Sequence, residues 1–128
     1  MEKLTQKLLT YLSDKPNYEK FSILHNEMGY DFNFIKELYP NDLKTFEDLN
    51  FKQHPNNWME GAVQAWLDFD NGHFVSVVGG GYGLYGDGVK TFEVGFTLPD
   101  GNIDVEGWLP PEQVTRLMFQ IQIKEPYV

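Results

Sequence analysis

Two dipeptides in the second half of the chain, Asn71-Gly72 and Asp100-Gly101, constrain its fold more than any other feature. An Asx-Gly pair between apolar alternations is a two-residue hairpin signal, because both turn positions favour positive φ. Each pair therefore predicts a register. About Asp100-Gly101, Leu98 pairs with Ile103, Phe96 with Val105, Val94 with Gly107 and Phe92 with Leu109. The large apolar residues then share one face, and Glu93, Thr97, Asp104, Glu106 and Trp108 share the other. About Asn71-Gly72, Phe69 pairs with Phe74, Leu67 with Ser76 and Ala65 with Val78, leaving Trp66, Asp68, Val75 and Val77 opposite. That strand pair is apolar on both faces, so it belongs at the sheet centre or beneath a helix or partner. If the second face is bare, Trp66, Val75 and Val77 offer it to a second copy and predict a homodimer.

The first half has a different texture. Residues 1–60 hold one glycine and seven lysines, whereas residues 61–128 hold eleven glycines and three basic residues. Helical spacing of Leu4, Leu8, Leu9, Tyr11 and Leu12 predicts a first helix over Glu2 to Ser13. A second starts at Asn17 as N-cap and stops at Gly29, with Phe21, Leu24 and Met28 on one side. Asp31 caps a third through Tyr39, and Asn41 a fourth with Leu43, Phe46 and Leu49 inward. A last helix opens at Pro110-Pro111, where proline suits the first turn, with Val114, Leu117, Met118 and Ile121 at core spacing. The expected fold is α+β: N-terminal short helices, then a mainly antiparallel four-stranded sheet closed by a C-terminal helix. A length of 128 residues fits one domain, helical over about 1–57 and sheet plus helix over about 58–128.

Composition narrows the chemistry. With no cysteine, disulfides, thiolate nucleophiles and Cys-based metal sites are excluded. A net charge of −9 and a single arginine, Arg116, argue against direct nucleic-acid binding, which draws its affinity from Lys and Arg on phosphates. No apolar run approaches the ~20 residues that span a bilayer, and no signal-peptide pattern is seen, so a cytoplasmic protein without a membrane partner is expected.

Among motifs, Gly79–Gly88 stands out, holding six of the twelve glycines. Gly81, Gly83 and Gly86 spell GxGxxG, but a strand rather than a helix follows, and no Lys-Ser/Thr follows for a P-loop; no cofactor is expected. Two readings remain open: a flexible connection, or a loop presenting Tyr82, Leu84 and Tyr85 beside Asp87 on a glycine scaffold, the composition of binding loops. Asp68, Asp70 and His73 resemble a metal loop, yet glycine sits at the fifth position where a calcium loop needs Asp or Asn, and no metal is expected. The serines and histidines fall in no catalytic spacing, and no catalytic residue is assigned. Glu93 and Glu106 on one hairpin face are either a hydrated surface or the acid–base pair of a small hydrolase. Trp66 and Trp108 on the same side would make an aromatic patch suited to an interface. Residues 53–115 carry nine acids against Lys90 alone, which predicts a partner with a basic surface, steered by charge.

The C-terminal half contains Phe74-Val75-Ser76-Val77-Val78-Gly79-Gly80, Leu84-Tyr85-Gly86, Phe92-Glu93-Val94, and Gly107-Trp108-Leu109 with Glu112-Gln113-Val114. In these segments it resembles small accessory proteins encoded by bacteriophages. The resemblance implies a bacterial host cytoplasm and a non-enzymatic protein that binds and inhibits or sequesters a host protein, such as a defence component. The expected contact residues are Trp66, Tyr82, Leu84, Tyr85, Asp87, Glu93, Asp104, Glu106 and Trp108. An acidic mimic of nucleic acid, occupying the groove of a DNA- or RNA-binding protein, is the alternative.

Overall fold

The computed structural model describes residues 6–55, 61–81, 83–98 and 100–126. Five strands form one antiparallel sheet in sequence order: β1 (Lys52–Gln53), β2 (Val63–Asp68), β3 (Phe74–Gly79), β4 (Phe92–Thr97) and β5 (Ile103–Leu109). The α+β class matches the expectation, but the sheet has five strands rather than four. The additional strand is short: Lys52 and Gln53 pair with Gln64 and Val63. Both of its residues are exposed, so no apolar alternation announces it. The sheet is also open. Helix α4 (Pro111–Gln122) lies across one face and leaves β1 and β5 as edges.

Both hairpins form where the Asx-Gly pairs place them, and both differ by one residue in register. The Phe69 N–H donates to the His73 carbonyl (2.8 Å) and the Gly72 N–H to the Phe69 carbonyl (3.1 Å), with Gly72 at φ 82°. The Leu98 N–H donates likewise to Asn102 (2.7 Å) and the Gly101 N–H to Leu98 (2.9 Å), with Gly101 at φ 88°. These are three-residue loops closed by a left-handed glycine, not two-residue turns. Ala65 therefore faces Val77, Trp66 faces Ser76 and Leu67 faces Val75. Across the second hairpin Phe96 faces Asp104, Gly95 faces Val105 and Val94 faces Glu106. A one-residue slip exchanges the two faces of a strand relative to its partner. Only Phe92 with Leu109 keeps the expected pairing, because a β-bulge adds one residue to β5 between that pair and Val94–Glu106.

The inner face of the sheet carries Val75, Val77, Phe92, Val94 and Phe96, packed against Val114, Met118 and Ile121 of α4. The other side of α4 contributes Phe119, which joins Leu12, Phe21, Leu24, Ile35 and Leu43 in a second core. Helix α4 is thus a middle layer, with the N-terminal helices gathered on the side away from the sheet. Burying apolar side chains on both flanks secures it more than any cap, at ~1.5–3 kcal/mol per large side chain.

The N-terminal elements are α1 (Gln6–Ser13), α2 (Asn17–Ser22) running into a π turn (Ile23–Glu27), and α3 (Phe32–Leu38). Residues 1–5 of the expected first helix lie outside the described residues. Asn17 begins α2 but does not cap it: Pro16 holds the N-cap position, and the Asn17 N–H goes instead to Asp70 Oδ2 (3.1 Å). Gly29, at φ 77°, ends that helical run, and Asp31 caps α3 by accepting from the Phe34 N–H (2.9 Å). The expected fourth helix is a single 3-10 turn, Phe46–Asp48, capped by Thr45 and Asp48. Its surroundings explain why no helix extends there. The Lys44 backbone is held at both its N–H and its carbonyl by Gln122 (2.8 Å each), and the Phe46 N–H by Thr115 (3.0 Å). These tertiary bonds to α4 replace the bonds a helix would make.

One tie fixes the β2–β3 loop to the end of α4. Buried Asn71 donates through Nδ2 to the carbonyls of Ile121 (2.9 Å) and Lys124 (3.1 Å) and accepts from the His73 N–H (3.2 Å). His73 is buried as well, with its ring nitrogens at Thr97 Oγ1 (3.1 Å) and the Glu125 carbonyl (2.8 Å). The Asp68-to-His73 segment is accordingly a structural junction.

Candidate partner-binding surface

In the loop between β3 and β4, Gly79, Gly86 and Gly88 are required by close approach of backbone to backbone. A Cβ on Gly79 would lie 2.6 Å from Gly88 Cα, and one on Gly86 would lie 2.6 Å from Phe92 Cα. Neither distance is attainable, so only glycine fits. The Gly80 N–H donates to the Gly86 carbonyl (3.0 Å) and closes the loop on itself. Asp87 then organises the approach to β4: its Oδ1 accepts from the N–H groups of Val89 (2.8 Å), Lys90 (2.7 Å) and Thr91 (2.9 Å). Those bonds hold its carboxyl well below the usual carboxylate range, at about 2. Asp87 thus fastens the loop through Oδ1 while its side chain stays exposed. Glu93 has a similar duty, since Oε1 accepts from the Tyr85 N–H (3.1 Å).

What this scaffold displays is Tyr85. The Trp108 N–H donates to the Tyr85 carbonyl (2.6 Å), and a Cβ on Gly107 would collide with the Tyr85 Cβ. The loop is therefore seated on the bulge of β5. Within that bulge Trp108 has φ 58°, the only positive φ of a non-glycine residue among those described. The left-handed region costs an L-residue roughly 1–2 kcal/mol, and a bulky side chain there is uncommon. The strain is not offset by burial. Trp108 is 60% and Tyr85 57% exposed, with ring centroids 6.5 Å apart. Bulges re-aim side chains, and backbone strain concentrates at functional positions.

The outer sheet face continues from this pair. Its residues, by register, include Trp66 and Phe74, Ser76, Gly95, and Val105. Trp66 stacks on Phe74 at 4.3 Å and donates through Nε1 to Asp68 Oδ1 (3.1 Å). It is 54% exposed, and Ile103 and Val105 on β5 are 63% and 46% exposed. Between the two margins lie the small residues Ser76 and Gly95.

Several expected groupings do not assemble. Trp66 and Trp108 stand on strands three apart, each with its own aromatic neighbour, and make two pairs instead of one patch. Glu106 shares the inner side with Val94, whereas Glu93 points to the outer side, so the two carboxylates cannot act as an acid–base pair. Val75 and Val77 are fully buried under α4, on the face opposite Trp66, which removes the dimer surface proposed from those three residues. Leu84 is half-buried, and Tyr82 lies outside the described residues. Ile103 and Val105, expected on the apolar face with Phe96 and Leu98, lie on the outer side and are surface residues. The three-residue loop at Asp100-Gly101 turns them outward, and Gly107, an isolated glycine within a strand pattern, marks the bulge that ends this register.

An open cleft of about 710 Å³ lies between α3 and α4, lined in part by His25, Asp31, Lys36, Glu47, Thr115 and Arg116. Much of its polar lining is engaged. His25 Nδ1 donates to the Tyr30 carbonyl (2.8 Å), Lys36 Nζ to the Leu43 carbonyl (2.8 Å), and Asp31 caps α3. Among the described residues no group of three or more His, Asp or Glu could hold a metal ion, and no helix is long and apolar enough to cross a membrane. No family model, curated protein or solved structure matches this chain.

Proposed function

We propose that the protein is a non-enzymatic binding protein that sequesters or inhibits another protein through the surface centred on Tyr85 and Trp108. One observation carries the reading: a tryptophan is held in a left-handed backbone conformation and then shown to solvent. A glycine would meet the same bulge without strain, so the exposed ring is carried at a conformational cost that a binding role would explain. Tyr and Trp are the residues that anchor interfaces, contributing large contact area at low entropic cost. The glycine loop gives the pair a rigid base, which lowers the ordering cost of binding. A host protein met in a bacterial cytoplasm is the setting that the phage-like residues support, and the acidic second half favours a partner with a basic surface.

The alternatives draw less support. A charge mimic of nucleic acid needs an array of freely presented carboxylates. Two of the expected ones, Asp87 and Glu93, each commit an oxygen to backbone N–H groups of their own loop, which leaves the exposed Asp104 and Glu106 on β5. The paired-carboxylate hydrolase lacks its pair. The test is capture from bacterial lysate with the tagged protein at low and moderate salt. One protein retained at both salts, and lost by the Tyr85→Ala/Trp108→Ala variant, is the expected result. A partner kept by that folded variant overturns the assignment.

A further inference from the structure

Strand β5 is a sheet edge, and its side chains say what it would accept. The Leu98–Asn102 hydrogen bond sets the alternation along the ladder. Asp104 and Glu106, opposite Phe96 and Val94, therefore bond across to β4, and the N–H and carbonyl groups of Ile103 and Val105 point outward. The outward N–H of Val105 is guarded by its neighbour: Asp104 Oδ1 accepts from it at 2.9 Å. A charged side chain on an edge N–H is a device against self-pairing. Because Asp104 is exposed, an incoming strand can displace it and claim the N–H.

Side chains alternate along this edge. Asp104 and Glu106 lie on the α4 side, while Ile103 and Val105 lie on the outer side and are largely exposed. A second copy pairing edge to edge would set the carboxylates of both chains on one side of the joined sheet, where like charges oppose each other. The edge is thus matched to a different strand.

We propose that β5 binds an extended segment of a protein partner by strand addition, the segment alternating basic and apolar residues. Lysine or arginine side chains sit over Asp104 and Glu106, and apolar side chains sit against Ile103 and Val105. The bulge at Gly107 and Trp108 ends the usable edge, and Tyr85 with Trp108 stands just beyond it. The proposal rests on the binding reading above and supplies the partner's chemistry.

The probe is a short capped peptide of alternating lysine and valine, added to isotope-labelled full-length protein at up to millimolar concentration, with a glutamate–valine peptide as control. Saturable shifts and slowed exchange at the Ile103 and Val105 amides are expected with the lysine peptide and not with the control. The Asp104→Lys/Glu106→Lys variant, unchanged elsewhere in its spectrum, is expected to weaken binding roughly tenfold. An unmoved β5, an equal response to both peptides, or β5 shifts that track protein concentration without peptide would overturn the proposal, the last by placing a second copy on the edge. The Tyr85→Ala/Trp108→Ala variant separates the two readings. It is expected to lose the lysate partner and keep the lysine peptide. A partner lost by that variant, with no peptide bound by the unaltered protein, overturns strand addition and spares the aromatic surface. A partner kept by the variant, with the peptide bound, overturns the aromatic surface and supports the edge.

Discussion

The amide of Trp108 donates to the carbonyl of Tyr85 at 2.6 Å, and this bond joins the glycine loop to the bulge of β5. It links two features that are separate in sequence, the glycine loop and the left-handed Trp108. The loop needs glycines to pass close to β4 and β5, and the bulge needs a left-handed residue. Together they place two aromatic rings side by side in solvent.

The glycines of this loop should separate by cause. Gly86→Ala forces a methyl to within 2.6 Å of the Phe92 backbone, which cannot retreat without breaking β4. A loss of about 1–3 kcal/mol is expected in urea denaturation. Gly83→Ala meets open space and is strained only by its φ of +82°, so a loss of about 1 kcal/mol is expected. The opposite ranking would contradict the packed-loop description.

Asn71→Ala should destabilise the fold by about 2 kcal/mol, because the Ile121 and Lys124 carbonyls at the end of α4 lose their donor. Asn71→Asp should be worse, since it sets a carboxylate against those carbonyls. Thermal midpoints of the three proteins, measured side by side, check the order.

Asp87 should leave a signature at low pH. Its folded carboxyl, at about 2, lies below the ordinary aspartate value of about 3.9. A depressed folded value means that the ionised form is favoured by folding. The contribution is complete above about pH 4 and is lost as pH falls towards 2. Carboxyl titration by NMR should show Asp87 with this low midpoint, and the Val89, Lys90 and Thr91 amides should move with it. Midpoints near 4 for all of them would remove Asp87 from the loop account.

Much of the fold was legible in the sequence because its signals are local. Asp31 as a cap, Gly29 as a stop, Pro111 in a first turn, and Asn71-Gly72 and Asp100-Gly101 as hairpin markers each act through their own backbone. Register was not legible, because an Asx-Gly pair fits both a two-residue turn and a three-residue loop ending in glycine. In both hairpins the second solution is adopted, and one residue decides which face Trp66, Val75, Ile103 and Val105 occupy. Strand β1 and the 3-10 turn at Phe46 were hidden for another reason: they depend on tertiary partners, Gln64 and Val63 in one case and Thr115 and Gln122 in the other. Of the candidate site, Tyr85 and Trp108 were found from residue type, but their meeting depends on a bulge that only Gly107 hinted at.

The most direct test of the central claim is Trp108→Gly, with urea stability and partner capture read on the same preparation. Glycine relieves the left-handed strain and gives up a ring that is mostly in water, so stability should stay within about 1 kcal/mol of the unaltered protein while the partner is lost. A fall of more than about 3 kcal/mol with the partner still captured by the folded fraction would contradict the account, by showing that Trp108 holds the fold together and does not meet a partner.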